Sequence, residues 1–355
     1  MKKTKTRKVL SYILFPLSLV LATTCGYTSC VLWDTFSSTQ TKNNLDDDEV
    51  DTSKPFTVLL AGHDARGGKE LFSRPDVLML LSFNPEKKEL QITHIPRDLR
   101  VKIPDLNTPP TKINHTCAYA KEKNIDPSRA LCRTVQSVLK VPVHYYCNLN
   151  MKAFIKGIDA IGGIDVNIPA INPRNKKAGF SQKMLNGKVA HFTPGPCHLD
   201  GQKALACLRM RKDDPNSDSG RNVRQRIILL EALKKISSFY TLAHLSSISE
   251  ILKENVEHNI PATKVLSLKK AYDKCCNNVK AVRIPTSPKR IDNLLQEIAD
   301  PVQLKIISNS LRKHLGLLVE ERQANMPLKP TKKITATLPK KLQTKKLSKQ
   351  RAIHG

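Results

Sequence analysis

Three short apolar runs near residue 60 restrict what this chain can become more than any other feature. Phe56–Ala61, Val77–Phe83 and Leu90–Ile95 are rich in Val, Leu and Ile and are bounded by Gly, Asn and Pro, which is the pattern of strands. The polar stretch Asn84-Pro85-Glu86-Lys87-Lys88 between the second and third predicts a hairpin. Charged residues gather where the runs end. Asp64 follows the first, Arg74 and Asp76 precede the second, and Arg97 and Asp98 follow the third. A sheet brings such ends together, so the stretch offers carboxylates and guanidiniums in one place. That chemistry suits a phosphate anion and a hard cation.

The remainder continues as mixed helix and strand. Asp126-Pro127-Ser128 is a helix start, and Ala130, Leu131, Val135, Val138 and Leu139 form an apolar stripe behind it. Val141–Leu149 reads as a strand and Met151–Ile161 as a helix stopped by Gly162-Gly163. Ile164–Pro169 alternates as a half-buried strand. Residues 172–196 are basic and Gly/Pro-punctuated, which predicts a long loop over one face. A helix opening at Leu199–Gln202 carries Arg209 and Arg211 at its end, and another runs from Gly220-Arg221 to about Tyr240. Helical periodicity covers Leu242–Val256 and Ala262–Tyr272, and Val279–Ile284 is the last strand expected.

The first 33 residues bear on compartment. Lys2, Lys3, Lys5, Arg7 and Lys8 precede the charge-free stretch Val9–Trp33, long enough to cross the ~30 Å hydrocarbon layer as one helix. Basic residues before it and Asp34 and Asp46–Glu49 after it place residues 1–8 in the cytoplasm and the remainder outside. A cleaved leader is the competing reading, but no convincing small-residue cleavage site precedes a polar start. The expected organisation is a span at 9–33, a polar linker at 34–54, a catalytic domain at 55–290, a helical extension at 291–322 and a basic tail at 323–355 with no Asp or Glu. Lys and Arg number 59 against 31 Asp and Glu, a net charge of +28 that calls for an acidic partner. Export, sparse aromatics and the lack of a recognisable motif argue against nucleic acid. Cys25 and Cys30 lie in the span. The other seven cysteines read as small buried apolar residues with one or two bridges among them, and their odd number leaves a free thiol.

Each candidate residue also has an ordinary structural use. Asp64 and Asp76 suit Mg²⁺, which takes one or two carboxylates plus phosphate and water, but they could equally cap turns. Arg97 and Asp98 could reach a ligand over the sheet edge or form a surface ion pair. Arg209 and Arg211 could complement a helix dipole. Arg221, Arg224 and Gln225, spaced three and four apart, are expected on one helix face in the first turns. Positive side chains there oppose the macrodipole unless an anion sits between them, and this is the strongest local sign of a phosphate site.

The set Leu59–Arg66, Arg74-Pro75-Asp76, Ile95–Asp98, Lys112–His115, Asp159–Val166, Ala204–Lys212 and Gly220–Gln225 resembles the LytR–CpsA–Psr family, over roughly Pro55 to Tyr240. Pro75 stands where the family usually has Ser, and His63 where it has an apolar residue. The resemblance implies a three-layer α/β/α sandwich with a central mixed sheet, preceded by one transmembrane helix. It implies a membrane-anchored extracytoplasmic phosphotransferase that moves a glycopolymer from a polyisoprenyl diphosphate to peptidoglycan, the lipid lying in an apolar tunnel. By the family's motifs, Asp64 and Asp76 match Mg²⁺ (or Mn²⁺) positions. Arg74, Arg97, Arg209, Arg211, Arg221 and Gln225 match diphosphate-binding positions, with Arg224 and Asp98 in matching motifs. Arg97, Asp98, Arg209 and Arg211 are the expected catalytic set, with Asp64 or Asp98 taking the acceptor proton. Two other readings use the same residues: a polyisoprenyl-diphosphate pyrophosphatase, and a membrane-tethered regulator that binds anionic polymer.

Overall fold

The computed structural model describes residues 40, 50–64, 74–104, 106–172, 179–211, 214–215, 217–236 and 255–319. The expected span at 9–33, the helix at 242–256 and the tail from 323 fall essentially outside them. Among the described residues no helix is long and apolar enough to cross a membrane.

The predicted hairpin forms, with longer strands than the apolar runs alone. β1 (Phe56–His63), β2 (Pro75–Asn84) and β3 (Glu89–His94) pair antiparallel in sequence order. Lys88, in the left-handed region at φ 51°, helps close the β2–β3 turn. After the small pair β4 (Arg100–Val101) and β5 (Thr111–Lys112) come a 3-10 turn at Ile113–His115 and helix α1 (Thr116–Glu122). Helix α2 (Pro127–Leu139) starts where Asp126 and Pro127 predict. The Asp126 carboxylate accepts from the amides of Ser128 (2.8 Å) and Arg129 (2.9 Å). The next strand is shorter than expected: β6 (Tyr145–Asn150) runs parallel to β1, and Asn150 caps α3 (Met151–Ala160).

Residues 172–196 correct the expectation of a long loop. Beyond the bridge at Asn172, β7 (Ile164–Ile168) pairs with β10 (Gly195–Leu199), and between them β8 (Phe180–Lys183) and β9 (Val189–Phe192) form a hairpin. Phe180 and Phe192 stack with centroids 4.7 Å apart and are buried. A four-residue strand with one aromatic on its inner face is too short to show periodicity. Gly163, at φ 70°, lets the chain turn tightly against β10, where a Cβ would collide with His198 and the Leu199 carbonyl.

Helix α4 (Gly201–Arg209) is capped by Asp200, and α5 (Ser217–Ile236) begins three residues before Gly220. The chain then adds β11 (Val256–His258) beside β6, helix α6 (Val265–Cys275) after a 3-10 turn, and β12 (Val279–Arg283) parallel to β3. β12 is not the last strand: β13 (Thr286–Ile291) and β14 (Leu294–Ala299) form a further hairpin before α7 (Pro301–His314). The central mixed sheet has the order β11-β6-β1-β2-β3-β12.

Alternation along β1 and β2 explains the layers. Leu59, Ala61, Leu78 and Leu80 face one way, into a core closed by α2 and α7. Phe56, Val58, Met79 and Leu81 face the other, against α6 and α5. The region after residue 291 is therefore built into the main core, since Ile307 and Leu311 of α7 pack there. A second core gathers around α3, α4 and β7–β10. α5 joins the two, offering Ile228 and Ala232 to the second core and Leu229, Leu230 and Leu233 to the sheet. The seven cysteines in the described residues are all free thiols, so no bridge forms among them; Cys117, Cys132, Cys207 and Cys275 are buried. Burial raises the thiols of Cys117, Cys147 and Cys207 to about 12, which keeps them inert.

Replacing Asp126 with Ala removes the carboxylate oxygen that accepts from two amides in the first turn of α2. The expected cost is about 1 kcal/mol of unfolding free energy, read as a lower urea midpoint at unchanged slope.

Candidate active site

A pocket opens where the carboxyl end of β3 meets β2, α5 and the C-terminal hairpin. It encloses about 430 Å³ of space, part of it open to solvent. β2 contributes Asp76, Val77 and Leu78, and His94 ends β3. Ile95-Pro96-Arg97-Asp98 forms the rim, and Arg211, Arg221, Asn222 and Gln225 close the α5 side. Arg283 from β12 and Glu297 from β14 complete it.

Pro96 ends the ladder, because it has no amide hydrogen to donate. The chain after it is fixed from several directions. Arg97 Nη1 donates to Asp76 Oδ1 at 2.5 Å, and Arg97 Nε to Asp98 Oδ2 at 3.4 Å. Lys112 Nζ lies 2.8 Å from the other Asp98 oxygen. The Arg97 carbonyl accepts from the Asn114 amide, and the Asp98 carbonyl from the Glu297 amide. Burial works against the Arg97 charge, but Asp76 and Asp98 outweigh it and hold the guanidinium proton more tightly than usual.

The predicted residues divide. Asp76, Arg97, Asp98, Arg211, Arg221 and Gln225 line one pocket, although they come from four separate segments. Asp64, Arg74 and Arg209 are not among its lining residues. Arg209 ends α4, half-buried. Arg74 is exposed, and its charge reaches His115, where, after burial and together with Lys112, it lowers the imidazole's proton affinity.

Arg224 is a correction: it is not on the pocket side. Its guanidinium is 2% exposed and points into the second core. There it donates to the carbonyls of Cys207 (3.2 Å) and Met210 (2.7 Å) and to Asp214 Oδ2 (2.6 Å), and it lies 5.2 Å from the Phe180 ring centre. Residues 224 and 225 are roughly 100° apart around a helix, so Gln225 can share the Arg221 stripe while Arg224 turns toward α4. The carbonyls it takes are those left over at the end of α4. The earlier start of α5 corrects a second point. Arg221 lies in the second turn, beyond the amides of the N-terminus, so the anion argument passes from the helix end to the pocket itself.

Sequence reasoning missed His94, Lys112, Arg283 and Glu297. Lys112 opens the Lys112–His115 motif, whose spacing alone does not mark it as a partner of Asp98. The other three carry no local signal, because they become neighbours only when β12 and β14 close on the end of β3. Arg283 Nη2 lies 3.6 Å from Glu297 Oε2, which also accepts from Thr286 Oγ1. Burial, then Arg226, Arg283 and Arg221, push the His94 imidazole down to about 4.

Among the described residues no cluster of three or more His, Cys, Asp or Glu side chains could cage a metal. The donor set does fit a cation that takes most of its ligands from phosphate and water. Asp64 directly follows β1, and Asp76 is the extra residue of the bulge opposite Gly62 and His63, so both carboxylates stand at one end of adjacent strands. The pocket is a charged bowl and not itself an apolar tunnel. On the same sheet face as His94, however, Leu60, Val77, Leu229, Leu230, Leu233, Ile260 and Leu268 are only half-buried.

The LytR_cpsA_psr family matches residues 28–313. A Bacillus mycoides (strain KBAB4) protein named polyisoprenyl-teichoic acid–peptidoglycan teichoic acid transferase TagU is 34% identical over 276 residues, 78% of this chain and 84% of the relative. The Bacillus subtilis (strain 168) transferase of the same description, TagV, is 33% identical over 279 residues, 75% of this chain and 68% of the relative. The crystal structure of B. subtilis TagV superposes with a TM-score of 0.61 at 30% identity, covering 75% of this chain and 99% of that one.

Two outcomes are expected. Asp214→Ala strands the buried Arg224 charge and should cost roughly 3–5 kcal/mol in denaturant unfolding. Gly220→Ala should also destabilise, because a Cβ there would overlap the Asp214 carboxylate. Separately, His94 and His258 are both held near 4 by burial, well below the usual 6.5. Between those values the unfolded chain binds more protons, so unfolding free energy should fall as pH is lowered from 6.5 toward 4, as measured by urea unfolding across that window.

Proposed function

Because the chain belongs to the LytR–CpsA–Psr family, we propose that it is a phosphotransferase that moves a glycopolymer from a polyisoprenyl diphosphate carrier to a hydroxyl of peptidoglycan. The observation that carries this reading is the gathering of Arg97, Arg211, Arg221 and Gln225 around one pocket beside Asp76. A diphosphate is the small group that suits so many guanidiniums, and the half-buried apolar side chains on the same face suit a lipid tail. The names of the relatives add support, since both act on polyisoprenyl-teichoic acid and peptidoglycan. Teichoic acid is accordingly the glycopolymer class favoured here.

Phosphoryl transfer relies on positioning and on stabilising charge rather than on a protein nucleophile. Arg211 and Arg221 hold the diphosphate oxygens from the α5 side. Arg97 is pre-aimed by Asp76 and Asp98, so little reorganisation is left for the moment of reaction. Asp64 and Asp76 would hold Mg²⁺ or Mn²⁺, which when bound neutralises phosphate charge. The acceptor hydroxyl approaches the phosphorus bearing the glycan, and the lipid phosphate leaves. The charge-free stretch Val9–Trp33 anchors the enzyme with residues 1–8 in the cytoplasm and the catalytic domain outside. An export-dependent reporter fused after Leu311 should be active outside the cell only.

Arg97→Ala and Arg211→Ala should each lower transfer by about 10²-fold or more while leaving the melting temperature nearly unchanged. The measurement is the appearance of glycan on peptidoglycan fragments. Release of free glycan phosphate at the same rate with and without those fragments would assign a pyrophosphatase instead.

A further inference from the structure

The basic groups of the pocket differ in what already holds them. Asp76 accepts from Arg97, and Asp98 from both Arg97 and Lys112. Glu297 accepts from Thr286 and lies against Arg283. His94 stands apart. It ends β3, is buried at 6% exposure for the whole residue, and lies on the pocket wall on the apolar face where a lipid would enter. The charges that act on it are cations: Arg221 and Arg226 from α5, and Arg283, its direct partner on β12. Its partner on β2 is the uncharged Met79. A neutral imidazole carries one lone pair, and burial, with the guanidiniums adding to it, keeps that lone pair unprotonated at working pH.

We propose that His94 is the catalytic base that takes the proton of the acceptor hydroxyl. This deepens the transferase reading and rests on it. The O–H bond breaks and its proton passes to a ring nitrogen of His94. The oxygen forms a bond to the glycan-side phosphorus. The bond from that phosphorus to the bridging oxygen breaks, and its electron pair departs with the lipid phosphate, which then takes the proton from His94.

The arrangement makes the base substrate-dependent. In the free enzyme burial first, and then the guanidiniums, hold His94 at about 4. A diphosphate set against Arg221 and Arg283, which line the pocket with His94, weakens their part of that field, and the imidazole rises toward the range where a base works best. The groups that bind the donor thereby also strengthen the base.

The test uses the full chain in detergent, a polyisoprenyl diphosphate-linked glycan and peptidoglycan fragments. His94→Gln should lower single-turnover transfer by about 10²-fold while leaving inorganic pyrophosphate affinity unchanged. The acid limb of the pH–rate profile should disappear, and imidazole should restore part of the rate in His94→Ala. In histidine-labelled wild type, NMR should show the His94 titration midpoint rising on saturation with pyrophosphate. A folded His94→Gln protein at wild-type rate overturns the proposal. So does a variant that loses rate and pyrophosphate affinity together while its acid limb persists, since that is a structural role. If the variants do not fold, the NMR result decides, and a midpoint unmoved by pyrophosphate overturns it. A wild type that transfers nothing overturns the transferase reading first, and the base with it.

Discussion

The turn Pro96-Arg97-Asp98 is the tie on which the pocket depends. Its side chains reach Asp76 on β2 and Lys112 at the end of β5, and its carbonyls accept from Asn114 and Glu297. Three segments distant in sequence are thereby fixed to the carboxyl end of one strand. The ion pairs are partly exposed, with Arg97 at 28% and Asp76 at 31%, so they contribute little to stability. Their effect is geometric: a guanidinium locked between two carboxylates keeps its direction whether or not an anion is present.

A second arginine plays the opposite part. Arg224 is as buried as the core leucines, and its charge is matched by Asp214, two carbonyls and an aromatic face. Such a pair gains little over an apolar replacement, yet its bonds to the Cys207 and Met210 carbonyls tie α5 to the end of α4. That seating matters because α5 serves three surfaces at once. Ile228 and Ala232 enter the second core, Leu229 and Leu233 cover the sheet, and Arg221 and Gln225 face the pocket. Rotating the helix to please one surface would spoil the other two.

The pocket is therefore a product of closure. Its walls come from β2, β3, α5, β12 and β14, and the apolar seam beside it continues on the same face of the sheet. Charge and apolar surface meet there, as a lipid with a phosphate head requires. The Glu297 amide on the Asp98 carbonyl draws the C-terminal hairpin into this arrangement, so the residues after 291 belong to the site as much as the motifs do.

The sequence by itself determined the strands β1 to β3, the helix starts at Asp126 and Asp200, the Gly162-Gly163 stop, and the family to which the motifs belong. These rest on local physics: alternation of apolar residues, side-chain oxygens that accept free amides, and glycines that permit positive φ. Only the tertiary structure decided that Arg224 turns inward while Gln225 faces the pocket, that residues 172–196 carry a hairpin, and that His94, Arg283 and Glu297 share a wall. Neighbours along a chain follow from bond geometry. The direction a side chain takes from a helix, and which strand ends come together, follow from packing between segments that no short window of sequence contains.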